Sequence, residues 1–288
     1  MRFPGLIPLT AALVITGAAA FAQDLSPEVS QETPPAPKRV VSINLCTDQL
    51  GMMLAAPGQL VSITVLARDP RASVMADEAQ SYPTNTGQAE EIYLLKPDLV
   101  LAGQYTSRAT VSMLRRLGIA VKEFAPAQSL EDVPANMLKM GEALGRADQA
   151  RDMADTFARR LSDRSPTQIR RPTAATYAAN GYSSGVQTLA GQIIETAGFH
   201  TLATELGLPY GGFLPLEALV MANPDLVISG SDYPGEARAE EVLSHPALKR
   251  LTGGHMAMQD RDWICGLPSV LNAVDKLRDE RLRREETQ

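Results

Sequence analysis

The chain has 288 residues, with 27 Lys and Arg against 33 Asp and Glu, and a formal net charge of −6 whose two signs are interspersed along its length. That balance excludes a nucleic-acid surface built on a basic stripe, and an aromatic content of 5% argues against a site of stacked tryptophans. With three histidines in the whole sequence, none beside a converging set of carboxylates, no metal centre and no cofactor are expected.

The first stretch, "MRFPGLIPLTAALVITGAAAFAQ", carries Arg2, an apolar run through Ile15 and a small-residue site at Ala20-Phe21-Ala22. It reads as a secretory signal peptide over residues 1–22, cleaved after Ala22. A membrane anchor is the competing reading, but Pro4, Gly5, Pro8 and Gly17 interrupt the run and no basic stop-transfer flank follows. The sequence is therefore expected to be exported to the periplasm. Residues 23–37 are proline-rich and poor in large apolar side chains, so they read as a disordered leader.

From residue 38 the pattern is strand, helix, strand. "RVVSI" is a short apolar run, "TDQLGMMLAA" has helical periodicity and stops at Pro57-Gly58, and "LVSITVLA" resumes an apolar run. The unit "EEIYLLKPDLVLAG" (90–103) then reads as a short helix, a proline stop and a buried strand. A helix over 108–117, stopped by Gly118, leads into "IAVKEF". After Pro126 the rhythm is lost: Ser129 is a plausible cap for a helix to Leu144, Gly145 breaks it, and a second helix runs on from Ala147. Beyond Pro166 the alternation restarts with "AATYAAN", the helix "LAGQIIETAG", a second unit "EALVMANPDLVISG" (217–230), a helix near 239–251, a strand near 255–259 and a final helix from about Pro268. The fold class is α/β: two α/β lobes, each with a mainly parallel sheet, joined by a long connecting helix. The expected boundaries are 38–128 for the N-terminal lobe, 129–166 for the connecting helices and 167–288 for the C-terminal lobe.

The unit at 90–103 returns 127 residues later with the glutamate, the Pro-Asp-Leu-Val core and the closing glycine at the same spacing. Local physics accounts for much of it. Glu90 and Glu217 sit in a first helical turn, where the helix dipole favours a carboxylate, and Pro97 and Pro224 end their helices. It does not account for an exposed glutamate in both halves.

At this point the sequence resembles the periplasmic substrate-binding proteins of ABC importers for vitamin B12, ferric siderophores and haem, whose two lobes are joined by a rigid helix. The resemblance spans Arg39 to about Leu282 and rests on "RVVSINLCTDQL", "AEEIYLLKPDLVLAG", "ADQARDMADTFARRL" and "LPLEALVMANPDLVISG". It implies a monomer without catalytic residues that hands a small chelate or corrinoid to a permease dimer in the inner membrane. In that family one glutamate on each lobe docks into the permease, and the matching positions are Glu90 and Glu217.

Loops leaving the carboxyl ends of parallel strands line the crevice in open α/β sheets. That rule selects Asn44, Cys46, Thr47, Arg68, Tyr105 and Thr106 from the first lobe, and Tyr182, Tyr210, Trp263 and Cys265 from the second. Each has a plainer reading: a lone tryptophan is often half-buried core, a tyrosine is often a capped core residue, and an arginine is often a solvated surface charge. Cys46 and Cys265 are read as an inter-lobe disulfide, with a thiolate metal ligand or two unpaired thiols as alternatives. One further motif, "GYSSG" (181–185), matches the nucleophile elbow of hydrolases; a periplasmic serine hydrolase using Ser183, with His245 or His255 as base, is the second reading.

Overall fold

The computed structural model describes residues 35–164, 171–230 and 237–286. The expected signal peptide and the expected leader up to residue 34 lie outside the described residues. The N-terminal lobe runs β1 (Val40–Ser42), α1 (Leu45–Leu54), β2 (Leu60–Thr64), α2 (Ala76–Ala79), β3 (Thr84–Asn85), α3 (Ala89–Leu94), β4 (Leu99–Gly103), α4 (Arg108–Arg116) and β5 (Ala120–Phe124). Its strands form one parallel sheet of order β3-β2-β1-β4-β5. Two helices follow, α5 (Asp132–Leu144) and α6 (Ala147–Ser162). The C-terminal lobe contains β6 (Thr173–Thr176), β7 (Tyr182–Ser183), α7 (Leu189–Thr196), β8 (His200–Thr201), α8 (Leu202–Glu205), β9 (Gly212–Phe213), α9 (Leu216–Ala222), β10 (Leu226–Ser229), β11 (Gly254–Ala257) and α10 (Val270–Glu285). Here β11-β10-β6-β8 form a parallel sheet, while β7 and β9 pair antiparallel on their own. Among the described residues no helix is long and apolar enough to cross a membrane.

Capping decides where the helices begin and end. Asn44, Ser107 and Thr188 each accept N–H groups from the first turn of α1, α4 and α7. Ser129 and Asp132 cap each other reciprocally at the entrance to α5, which starts at Asp132, two residues later than an N-cap at Ser129 suggests. Gly145 takes a left-handed conformation (φ 69°) and separates α5 from α6, while the Arg146 N–H bonds back to the Gly141 carbonyl. The sixteen residues of α6 extend about 24 Å.

The duplicated unit has a structural explanation for its aspartate. Asp98 accepts N–H bonds from Lys38 and Arg39 at 2.7 and 3.0 Å, just before β1, and Asp225 accepts from Thr173 at 2.8 Å, the first residue of β6. In each lobe the carboxylate holds the start of the central strand. The residues before the prolines, Lys96 and Asn223, adopt positive φ (48° and 43°) instead of the extended conformation usual before proline. Both routes avoid right-handed helix, and the left-handed one turns the chain into the next strand within two residues.

Strand alternation sorts the core into layers. Val41 and Val100 face outward with Ala89, Ile92, Val111 and Leu114. Ala175 and Val227 face outward on the second sheet with Leu202 and Leu219. The inward faces do not close separately: Val40, Leu60 and Leu101 of the first sheet, Met137 and Phe157 of α5 and α6, and Ile193, Leu226 and Val274 of the C-terminal lobe belong to one continuous apolar cluster.

Two expectations are corrected. The helix near 239–251 is a pair of 3₁₀ turns, Arg238–Ser244 and Leu248–Arg250; Pro246 supplies no N–H, and the His245 ring accepts the Ala247 N–H at 3.2 Å. The helix expected over 108–117 ends at Arg116, and Leu117 is its exposed C-terminal cap.

A buried carboxyl lies beneath the first sheet's carboxyl rim. Asp48 of α1 has no solvent exposure; its Oδ2 accepts from the Thr64 N–H (3.2 Å) and hydroxyl (2.5 Å), while Oδ1 has no hydrogen-bond partner. Burial pushes its pKa up to about 6, against the lowering pull of the Ser42 and Thr64 hydroxyls and the Thr64 N–H.

Two measurements test these readings. Asp98→Ala and Asp225→Ala should each lose about 1 kcal/mol of stability, seen as a lower urea midpoint at unchanged slope, because strand-starting N–H groups lose their acceptors. Asp48 binds its proton more tightly folded than unfolded, so its stabilising contribution is full below about pH 4 and is lost as pH rises through about 6. Asp48→Asn should therefore remove this slope and be more stable than the parent at pH 8, by on the order of 1–3 kcal/mol; equal urea midpoints at pH 5 and 8 for both proteins would refute it.

Candidate functional site

In the first sheet, β1 and β4 are neighbours whose following segments leave in opposite directions, toward β2 and toward β5. In the second, β6 and β10 play the same part. A crevice opens beyond the carboxyl ends of strands at such reversals. The cleft occupies both: one hollow is lined by residues following β1, β4 and β5, and another, of about 370 Å³, by residues following β6 and β10. Ala127 and Ile264 line both hollows.

The first hollow takes in Asn44, Cys46, Thr47, Tyr105, Asn136 and Ile264. Asn44 is fixed because its Oδ1 accepts the Cys46 and Thr47 N–H groups. Gly103 lets it pack there, since a Cβ at that position would lie 2.7 Å from the Asn44 amide. Thr47 is almost wholly buried and shares a 2.8 Å hydrogen bond with Ser42, so its hydroxyl is engaged within the lobe. Tyr105 is 83% exposed at the rim.

The second hollow takes in Tyr177, Tyr182, Tyr210, Asp260, Trp263 and Ile264. Tyr210 is 76% exposed. Tyr177 is buried, its hydroxyl has no hydrogen-bond partner, and burial together with the nearby Glu217 carboxylate pushes its pKa upward. Among the described residues no Lys or Arg lines either hollow.

Cys46 and Cys265 form a disulfide with their Cα atoms 5.3 Å apart, joining the start of α1 to the segment between β11 and α10. Neither thiolate is therefore a metal ligand. Cys46 lines the first hollow, Cys265 lies outside both linings, and so do two other selected residues. The Arg68 guanidinium donates to the carbonyls of Ala79, Gln80 and Tyr82 and so closes the end of α2. Thr106 accepts the Gly103 N–H and borders a separate groove beside Arg108, Arg115 and Arg116.

Ser183 does not sit on a strand-to-helix elbow. It is the second residue of β7, paired with β9, fully buried, and its hydroxyl has no hydrogen-bond partner. His245 accepts the Ala247 N–H and His255 is bonded to the Leu248 carbonyl at 3.0 Å, and neither is hydrogen-bonded to Ser183. Among the described residues no three His, Cys, Asp or Glu side chains converge as metal ligands.

Glu90 and Glu217 are exposed in the first turns of α3 and α9. Each helix runs back antiparallel to the parallel strand that follows it, so each begins at the rim where the strands end. The reading from sequence missed Tyr177, Asn136, Asp260, Ile264 and the 125–128 segment. The carboxyl-end rule applied to β5 and β6 would have found 125–128 and Tyr177; Asn136 projects from a helix, and no sequence signal marks it.

Comparison with known proteins gives a consistent family. Residues 40–255 match the family described as periplasmic binding protein. A cobalamin-binding protein of Halobacterium salinarum is 30% identical over 201 residues, covering 67% of this chain and 54% of that protein; the chain thus spans about half the length of the curated relatives it matches. Among solved structures, the periplasmic heme-binding protein RhuT from Roseiflexus sp. RS-1 superimposes with a TM-score of 0.70 at 19% identity, covering 84% of this chain and 96% of that one. A periplasmic heme-binding protein from Pseudomonas aeruginosa gives 0.67 at 20% identity, covering 84% and 91%. The vitamin B12 binding protein BtuF of Vibrio cholerae gives 0.64 at 15% identity, covering 88% and 99%. At these identities the structural likeness shows the fold alone.

Proposed function

Because the chain belongs to the periplasmic binding protein family, we propose that it is the substrate-binding component of an ABC importer, exported with loss of residues 1–22. It captures a ligand of the corrinoid or metal-chelate class, such as cobalamin, haem or a ferric siderophore, and delivers it to a permease dimer in the inner membrane. The observation that carries this reading is the pair of adjoining hollows, sharing Ala127 and Ile264, at the strand-order reversals of two lobes. Tyr105, Tyr177, Tyr182, Tyr210 and Trp263 supply flat apolar area with polar edges.

Within that class the lining favours a corrinoid. Haem brings two propionates and most ferric catecholates are anions, which are met by Arg or Lys in a dry site; here the lining has Asp260 and, among the described residues, no basic side chain. An amide-rimmed macrocycle without net negative charge suits Asn44, Asn136 and the tyrosine hydroxyls. The similarity to a cobalamin-binding protein points the same way. A hydrolase is not supported, since Ser183 lacks both exposure and a base.

Glu90 and Glu217 are the proposed docking contacts, one for each permease subunit, their duplication matching a two-fold partner.

Calorimetric titration with cyanocobalamin, haemin and ferrichrome tests the ligand class. Cyanocobalamin should bind with a Kd of about 1 μM or tighter and the other two more weakly. Preference for haemin or ferrichrome would overturn the corrinoid assignment, and failure of all three would overturn the ligand class.

For docking, Glu90→Arg, Glu217→Arg and the double variant should retain ligand affinity and melting temperature. Uptake through the cognate importer should fall, most in the double variant, since a reversed charge at a desolvated contact costs on the order of 2–5 kcal/mol. Unchanged uptake in the double variant would leave both glutamates as helix-start residues only.

A further inference from the structure

The segment between β11 and α10 belongs in sequence to the C-terminal lobe, yet it is fastened to the N-terminal one. The Arg261 N–H donates to the Arg71 carbonyl at 2.8 Å, and the Arg261 guanidinium donates to the Pro70 carbonyl at 2.9 Å. Four residues on, Cys265 is bonded to Cys46. Gln49 backs that bond: its amide lies 3.6 Å from the Cys265 sulfur while its carbonyl oxygen accepts the Val74 N–H at 2.8 Å. Gly266 then packs so closely on Ala127 that a Cβ would lie 2.3 Å from the alanine's own.

Trp263 and Ile264 hang between these fastenings. Their backbone N–H groups bond only within the segment, both to the Asp260 carbonyl, and Ile264 is half exposed in the wall that the two hollows share. We propose that the Cys46–Cys265 disulfide is a positioning element of the ligand cleft, holding Trp263 and Ile264 as the wall between its hollows. This rests on the reading of the cleft as a ligand site. The bond's effect on the unfolded chain is a separate matter. In the folded protein, cutting it leaves the wall held on its N-terminal side by Arg261 and by the 2.6 Å ion pair of Asp262 with Lys276 of α10, and on the other side by packing, so the segment gains local freedom and loses part of the preorganisation that favours binding.

Trp263 is the only tryptophan, so its fluorescence reports this wall and nothing else. The experiment compares the oxidised protein, the same protein reduced with a phosphine and checked by alkylation mass, and the C46S/C265S variant, each at a temperature where the far-UV spectrum is native. The core variant Ile193→Ala, matched for loss of melting temperature, is the control. Opening the bond should red-shift Trp263 emission, raise its quenching by acrylamide about twofold or more and weaken cyanocobalamin binding about tenfold, whereas Ile193→Ala should leave all three unchanged. If C46S/C265S does not fold, the reduced parent carries the test. Unchanged emission and quenching in reduced, folded protein would overturn the proposal and leave the bond a stability staple. Emission and quenching need no ligand, so a failure of the ligand assignment is told apart from a failure of this one.

Discussion

Parallel pairing gives every strand of a lobe the same direction, and the rest of the molecule follows from that polarity. All carboxyl ends of one sheet reach one rim, every returning helix starts at that rim, and the reversal of strand order opens a hollow there. The cleft residues Asn44, Tyr105, Tyr177 and Trp263 occupy the rim for this reason, and so do the first turns carrying Glu90 and Glu217. The cleft and the duplicated glutamates are two results of one topological rule.

The fold was readable where local chemistry and tertiary packing agree. The strands "VVS", "LVLAG" and "LVIS" are apolar on both faces because both faces are covered, and Gly145 stops its helix because it takes a left-handed conformation. Boundaries failed where a side chain far away in sequence, or a residue that cannot donate, intervenes. Pro246 turns an amphipathic stretch into 3₁₀ turns. The aspartates of the repeated unit looked like polar punctuation, and their work is done on strands 52 and 60 residues away.

The site was legible as a set of loops and not as a set of contacts. Sequence position says that Arg68 follows a strand; it cannot say that its guanidinium is taken by three carbonyls of the next turn. Thr47 is similar, chosen for its place after β1 and spent on Ser42 and the Asn44 carbonyl. Conversely Ile264, an apolar residue with no motif, faces both hollows because its neighbours on either side are pinned to the opposite lobe. Which polar group remains available to a ligand is decided by three-dimensional competition among acceptors.

The inward faces of the two sheets share one apolar cluster with α5, α6 and α10. Neither lobe therefore owns a complete interior, and a cut within the connecting helices, at Gly145 between α5 and α6, would divide topology without dividing stability. A fragment ending there would carry Met137, Met140 and Leu144 into water along a face evolved to be covered, which makes it a candidate for aggregation in place of folding. The two halves look like duplicated modules, yet their shared interior ties them into a single cooperative body in which each half covers the apolar face of the other.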